Sequence, residues 1–344
     1  MAKLMKYYKI LILWLSLSIV CSACQKKKPA YQPKVDTKEV KEIAKSIDTK
    51  VFRYELALQQ LSPDSLLYQL NQMRDDYAFL LGDTVTAAGA RQISNYLKDP
   101  TIKKLYKQSN KVFADFAPYK EAFDSAFTLM KYYFPQASIP RVYTVITGLY
   151  YEMPIMCYDS AIVVSLDLYL GSNYPIYKQL GPNVPQYIYR RFAPEYLLPD
   201  CFKELAYNYI DFPQATSVLD EMLIDGKRML FAQLLLPNTA DTLIFGYPHN
   251  KLQWAVNNES MIWSYLINNN LLYNKNKQTI RELIGEKPFT SYFGNNSPGK
   301  IGSWIGWQIC RSWIANNPDK PISDMLLEKD SQKILNESKY KPKK

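Results

Sequence analysis

Histidine is nearly missing: His249 is the only one among 344 residues. A lone imidazole cannot complete a tetrahedral zinc site by itself. A Ser-His or Cys-His nucleophile would have to be served from the loop Gly246-Tyr247-Pro248-His249-Asn250, where a surface histidine in a turn is the simpler reading. The sequence also lacks a G-x-S-x-G elbow and paired Cys-x-x-Cys motifs, since Cys21-Ser22-Ala23-Cys24 has no second copy. Glycine is scarce at 12 residues, and the stretch that approaches a phosphate loop, Gly294-Asn295-Asn296-Ser297-Pro298-Gly299-Lys300-Ile301, fails as one. Ile301 removes the hydroxyl that would hold Mg²⁺, and Pro298 removes an amide from the cradle. Acidic residues are outnumbered, 32 against 42 basic, which leaves a net charge of +10.

At 47% hydrophobic, the chain can bury a real core, which excludes disorder as the default and allows one large domain or two modest ones. The first 23 residues form an export signal: Lys3, Lys6 and Lys9, then an apolar run Ile10 to Val20 too short to span a bilayer, then Ser22-Ala23. Val20-Cys21-Ser22-Ala23-Cys24 resembles a bacterial lipobox, with Cys21 where the pattern prefers leucine. That resemblance implies acylation of Cys24, which becomes the mature N-terminus and the membrane anchor, since several acyl chains hold where one is marginal. Residues 24–36 then read as a flexible tether, with two prolines and Lys26, Lys27 and Lys28 available to anionic head groups. Loss of the signal removes three lysines and no acid, so the charge falls from +10 to 10 − 3 = +7. With export indicated, no nucleic-acid partner is expected. Cys157, Cys201 and Cys310 remain, an odd number in apolar segments, and read as buried free thiols.

The rest, 37–344, reads as one α+β domain, predominantly helical with one small β-sheet. Residues 36–61 are expected to hold a short helix and then an extended entry. Ser62-Pro63 opens a helix that Gly82 ends, Asp99-Pro100 opens another, and a third carries Tyr119, Phe123, Phe127, Met130 and Phe134 on one stripe. Val142 to Thr147 and Ala161 to Leu166 are β-branched and read as strands. A proline-rich crossing from Gly171 to Pro199 leads into two consecutive helices over Leu198 to Pro237. A further helix is expected over Leu252 to Leu266, and another opens at Ser297-Pro298-Gly299 and runs to about Ile314. Gly299, Gly302 and Gly306 are expected on one face of that last helix, against a close neighbour. Trp304, Trp307 and Arg311 form the adjacent stripe, read first as core packing and alternatively as a cleft or partner surface. Ser323 is expected to cap a final amphipathic stretch.

The central helix pair carries the chemistry of interest. Lys203-Glu204-Leu205-Ala206-Tyr207 has the frame of H-E-x-x-H, in which two histidines one turn apart grip Zn²⁺ and the glutamate acts as general base. Here an ammonium and a phenol replace both imidazoles. Asp225, on the second helix, sits where zinc peptidases of this type place a third, acidic ligand. The pair therefore resembles a degenerate zincin in which Lys203 would form an ion pair with Glu204 or Asp225. No metal and no cofactor are expected. In the bland alternative these charges are solvated helix surface.

Five stretches carry a wider resemblance: Arg190 to Pro199 (RRFAPEYLLP), Asp220 to Pro237 (DEMLIDGKRMLFAQLLLP), Gln253 to Tyr273 (QWAVNNESMIWSYLINNNLLY), Phe289 to Arg311 (FTSYFGNNSPGKIGSWIGWQICR) and Gln332 to Pro342 (QKILNESKYKP). In them the chain resembles the GldB gliding-motility lipoprotein family of the Bacteroidetes. The resemblance implies an envelope lipoprotein, in the outer membrane and facing the periplasm, that serves gliding or an associated secretion apparatus by binding a protein partner. It implies no catalytic residue. The 28 tyrosines against 14 phenylalanines suit half-wet contact surfaces. Two alternatives stay open: an envelope hydrolase acting on peptide or peptidoglycan without the usual ligands, and a glycan-binding module using Trp304 and Trp307.

Overall fold

The computed structural model describes residue 33 and residues 35–342, apart from 183 and 213. The expected signal over 1–23, the lipidation position Cys24 and most of the tether lie outside the described residues. Asp36 opens the first helix, α1 (Thr37–Ala44), by accepting from the backbone N–H groups of Lys38 and Glu39. A short strand, β1 (Val51–Arg53), and helix α2 (Tyr54–Gln59) follow.

The helix expected from Ser62 to Gly82 is two, α3 (Leu66–Gln72) and α4 (Arg74–Leu81). Their apolar residues divide between two cores, with only Leu81 of α4 sharing the core of α3. Leu66 and Leu70 pack with Leu58, Val85 and Ala90, whereas Tyr77 and Leu80 turn onto the sheet beside Phe52, Tyr54 and Tyr143. One straight helix cannot face both. Gly82, at φ +70°, closes α4 as its spacing predicted. Helix α5 (Ala87–Lys98) was not foreseen, although Thr86 caps it through the Gly89 N–H at 3.1 Å. Asp99 caps α6 (Pro100–Val112) at 2.7 and 3.0 Å, and α7 (Ala117–Tyr133) buries Phe123, Phe127 and Met130 completely.

The expected strands are β2 (Arg141–Val145) and β4 (Ala161–Ser165), the parallel centre of a four-stranded sheet ordered β1-β2-β4-β3. Strand β1 pairs parallel with β2, and the edge strand β3 (Ile155–Tyr158) pairs antiparallel with β4. Every residue of β4 is buried, as suits a central strand covered on both faces. Just beyond it, the fully buried Asp167 carboxylate accepts the backbone N–H groups of Thr147 (3.0 Å) and Leu149 (2.6 Å). Those bonds hold a turn in which Gly148 and Leu149 both have positive φ. The proline-rich crossing is packed rather than loose: the buried Tyr177 hydroxyl accepts from Leu170 N–H at 2.9 Å and donates to the Asp167 carbonyl at 2.7 Å. It contains the single turn α8 (Gln186–Tyr189).

The helix pair appears as α9 (Leu197–Tyr209) and α10 (Val218–Leu235), the latter opened by a capping box between Ser217 and Asp220. Short α11 (Asp241–Phe245) follows. The helix expected over Leu252–Leu266 is broken at Asn258 into α12 (His249–Asn257) and α13 (Glu259–Asn268), with the Asn258 amide donating to the Trp254 carbonyl at 2.8 Å. Such side-chain-to-backbone bonding competes with helix continuation. His249 lies exposed at the start of α12. After α14 (Lys277–Ile284) comes α15 (Ile301–Asn316), which starts later than expected because Lys300 takes a left-handed conformation. Gly299 therefore sits before the helix, against the Lys287 backbone, while Gly306 faces α10. The chain ends with α16 (Ile322–Leu327) and α17 (Ser331–Ser338). Asp330, not Ser323, provides the side-chain cap there. The largest core joins the sheet, α6, α7, α9, α10 and α15, from Ile102 to Ile334.

Candidate functional site

Helices α9 and α10 lie side by side and bring their charged residues to one cleft. Lys203 is nearly buried, 8% exposed, and its ammonium bonds the Asp200 carboxylate one turn back at 2.7 Å. This corrects the expected pairing with Glu204 or Asp225. Burial pushes the Lys203 ammonium below its ordinary range, against the pull of Asp200. The other Asp200 oxygen accepts from the Tyr169 hydroxyl at 3.1 Å.

Arg228, one turn beyond Asp225 on α10, takes the central place. Its guanidinium donates to Asp225 at 3.1 Å and to Glu204 at 3.4 Å, and its Nε donates to the Lys203 carbonyl at 3.3 Å. Its charge also lies 4.4 Å from the centre of the Tyr207 ring, a cation–π contact. Glu204 and Asp225 thus bond the same guanidinium, and a fixed cation stands between them. Asp225 is further held by the Ser303 hydroxyl at 2.6 Å and by Lys300 at 3.8 Å. Burial lifts the Glu204 carboxyl above its usual range, with Arg228 opposing.

Lys300, the left-handed residue before α15, also reaches Glu286 at 3.4 Å, and Arg191 reaches the same Glu286 oxygen at 2.9 Å. This triplet lines both of two adjoining hollows. One, of about 370 Å³, is bounded by Tyr151 to Ile155, Asp200, Lys203, Glu204 and Arg228. The other, of about 250 Å³, lies towards Tyr187, Tyr247 and Lys251. Burial acts to raise Glu286, but Lys300 and Arg191 outweigh it and hold the carboxyl at about 2. A carboxylate depressed in the folded state contributes stability above its unfolded pKa and loses it as pH falls through the folded value. Replacing Glu286 by glutamine is therefore expected to destabilise the protein at pH 7 by no more than about 2 kcal/mol, because a side chain 41% exposed is screened by water. The gap from the unaltered protein should close between about pH 4.5 and pH 2 in urea titrations. A gap independent of pH would assign the effect to packing.

Four cations, Arg191, Lys203, Arg228 and Lys300, face four carboxylates, Asp200, Glu204, Asp225 and Glu286, each within 4 Å of a partner. The frame of Lys203, Glu204, Tyr207 and Asp225 was legible, since i and i+4 share a helix face. Arg191, Arg228, Lys300 and Glu286 were not connected to it. They come from separate segments, and nothing in their local sequence linked them to the frame. Among the described residues, no group of three His, Cys, Asp or Glu converges to hold a metal ion.

Residues 34–342 match the family model of the gliding motility protein GldB. The chain belongs to this GldB family. No curated protein and no solved structure matches it. The family is one of gliding-motility lipoproteins, which fits membrane anchoring. Among the described residues, no helix is long and apolar enough to cross a membrane.

The second candidate surface in this GldB-family chain is elsewhere. Trp304 and Trp307 are 1% and 0% exposed, packed edge to face with each other at 5.7 Å and against Phe245. Arg311 is 5% exposed, lies 3.5 Å over the Trp307 ring and bonds Asp241 through two nitrogens at 2.8 and 2.6 Å. Neither indole reaches solvent, so this stripe is core packing and not a cleft or partner face. Cys157, Cys201 and Cys310 are free thiols, Cys157 only half-buried.

Proposed function

We propose that this protein is a non-enzymatic component of the gliding machinery or of an associated secretion apparatus, built on a degenerate metallopeptidase scaffold. Its charged cleft binds a protein partner. The Arg228 guanidinium held between Glu204 and Asp225 carries this reading. A general base must accept a proton from a water or substrate, and Glu204 already faces a permanent cation. The two positions that would supply imidazole hold an ammonium bonded to Asp200 and a phenol stacked under Arg228. A balanced floor of ion pairs suits recognition of a polar segment, whose own charges can exchange for those of the cleft. Met153, which lines it and is 45% exposed, offers the apolar contact that such a surface uses.

Two measurements on the full chain test this. Zinc in the purified protein is expected well below one ion per chain, with no peptide or peptidoglycan hydrolysis that depends on Glu204. One tightly held zinc, together with an activity abolished by Glu204→Gln, ends the reading in favour of a hydrolase. In cells, a photo-crosslinking residue at Met153 is expected to capture a component of the motility or secretion apparatus, and Arg228→Ala to weaken that capture.

A further inference from the structure

Far from the charged cleft in sequence, α2, α5 and α6 enclose an apolar groove of about 500 Å³, within the range of small-molecule pockets. Leu58, Leu61, Leu66, Leu97 and Tyr106 provide its apolar wall. Helix α6 lines it at Lys103, Tyr106, Lys107 and Asn110, the i, i+3, i+4, i+7 pattern of one helix face, over roughly 10 Å. The groove has two unlike ends. At the Asn110 end, Asn110 and Gln59 exchange amide hydrogen bonds at 2.8 and 3.3 Å, bridging α6 to α2. At the other end stand Lys103 and Lys98, the last residue of α5, with Lys107 one turn along. All three lysines are exposed, and none has a carboxylate within 4 Å among the described residues. Helix α6 carries four lysines and no acidic residue.

We propose that this groove binds a single-chain lipid phosphate monoester, its alkyl chain along the apolar wall and its phosphate among Lys98, Lys103 and Lys107. The amide bridge closes the far end, which suits a chain with one tail terminus rather than a helix that must pass through. Lys98 and Lys103 at the mouth, with Lys107 one turn further in, supply more positive charge than one carboxylate needs and suit the double charge of a phosphate monoester. Each methylene that leaves water tightens binding about fourfold, so an apolar wall of this extent and a cationic mouth reinforce each other.

The core is built from residues 49 onward, so the chain from Gln25 keeps it without the anchor. Calorimetric titration of that chain with dodecyl phosphate, below its micelle concentration, is expected to show one site per chain. Dodecanol and dodecyltrimethylammonium should bind at least about tenfold more weakly, and inorganic phosphate should not bind measurably. Lys103→Gln with Lys107→Gln, both exposed positions, should remove that tenfold preference while leaving dodecanol binding unchanged. Ser94→Phe, which fills the groove, should abolish binding of both without lowering the melting temperature. Equal affinity for phosphate, alcohol and ammonium would reduce the groove to an unspecific apolar patch and overturn the proposal. Laurate binding as tightly as dodecyl phosphate would overturn the choice of headgroup. Lysine-dependent binding to phosphatidylglycerol vesicles with no monomer binding, or an acidic amphipathic peptide that binds where the phosphate does not, would assign the lysines to a membrane or a protein instead.

Discussion

Gly306→Ala is expected to cost the fold about 4 kcal/mol or more. A β-carbon at Gly306 would stand 1.8 Å from the Met222 carbonyl oxygen on α10, and one at Gly226 would stand 2.4 Å from the Gly306 carbonyl carbon. Both contacts are with backbone, so no side chain can swing aside to absorb them. The two helices cross at their main chains, and the only relief is to part them. Parting would loosen the core on both sides of the crossing and displace Asp225 and Arg228, which lie on the same helix as Met222 and Gly226. Chemical denaturation should show a strongly lowered midpoint. Gly89→Ala provides the comparison: that glycine lies inside α5, with the Thr86 hydroxyl at 3.6 Å as its nearest neighbour. Alanine there is expected to stabilise by about 0.5–1 kcal/mol through helix propensity. If Gly306→Ala proved as mild, the close crossing would be wrong.

Arg311→Met is expected to cost about 3–5 kcal/mol, because it removes a buried charge from partners that cannot all find water. Arg311 is 5% exposed and donates to both oxygens of Asp241, while its Nε donates to Gln233 at 3.0 Å. It also lies over Trp307 at 3.5 Å, so methionine recovers part of the packing and none of the charge pairing. The Asp241 carboxylate stands in the first turn of α11, and its side chain is 33% exposed, which gives it some solvent once the arginine is gone. A shift in melting temperature on the order of 10 °C is the expected reading. In a double-mutant cycle, adding Asp241→Asn to Arg311→Met should cost clearly less than the sum of the two single changes. Strict additivity would show that the pair contributes nothing beyond its separate side chains.

The structure also separates the two surfaces that the sequence put forward for function. The sequence favoured the charged residues on α9 and α10 and read the aromatic stripe on α15 first as core packing. In three dimensions the tryptophans face inwards and the charges line a cleft together with exposed Met153. The proposed recognition role therefore rests on the cleft. A glycan reading through Trp304 and Trp307 has no ring surface to offer.

Local signals carried much of the fold. Asp99-Pro100, Gly82 and the stripe through Phe123, Phe127 and Met130 act within one helix through caps, φ preference and periodicity, so the sequence alone determined those elements and their type. The same holds for β2 and β4, whose β-branched runs end in the buried centre of the sheet. Breaks at Met73 and Asn258 were not legible, because they depend on which of several cores each half of a helix must face. Lys203, Glu204 and Tyr207 share one helical face by spacing alone. That Lys203 turns back to Asp200, and that Arg228 from the next helix stands between Glu204 and Asp225, was decided only by packing. Periodicity fixes which residues share a face. Which charge neutralises which depends on distances of a few ångströms between segments far apart in the chain, and only the tertiary structure sets those.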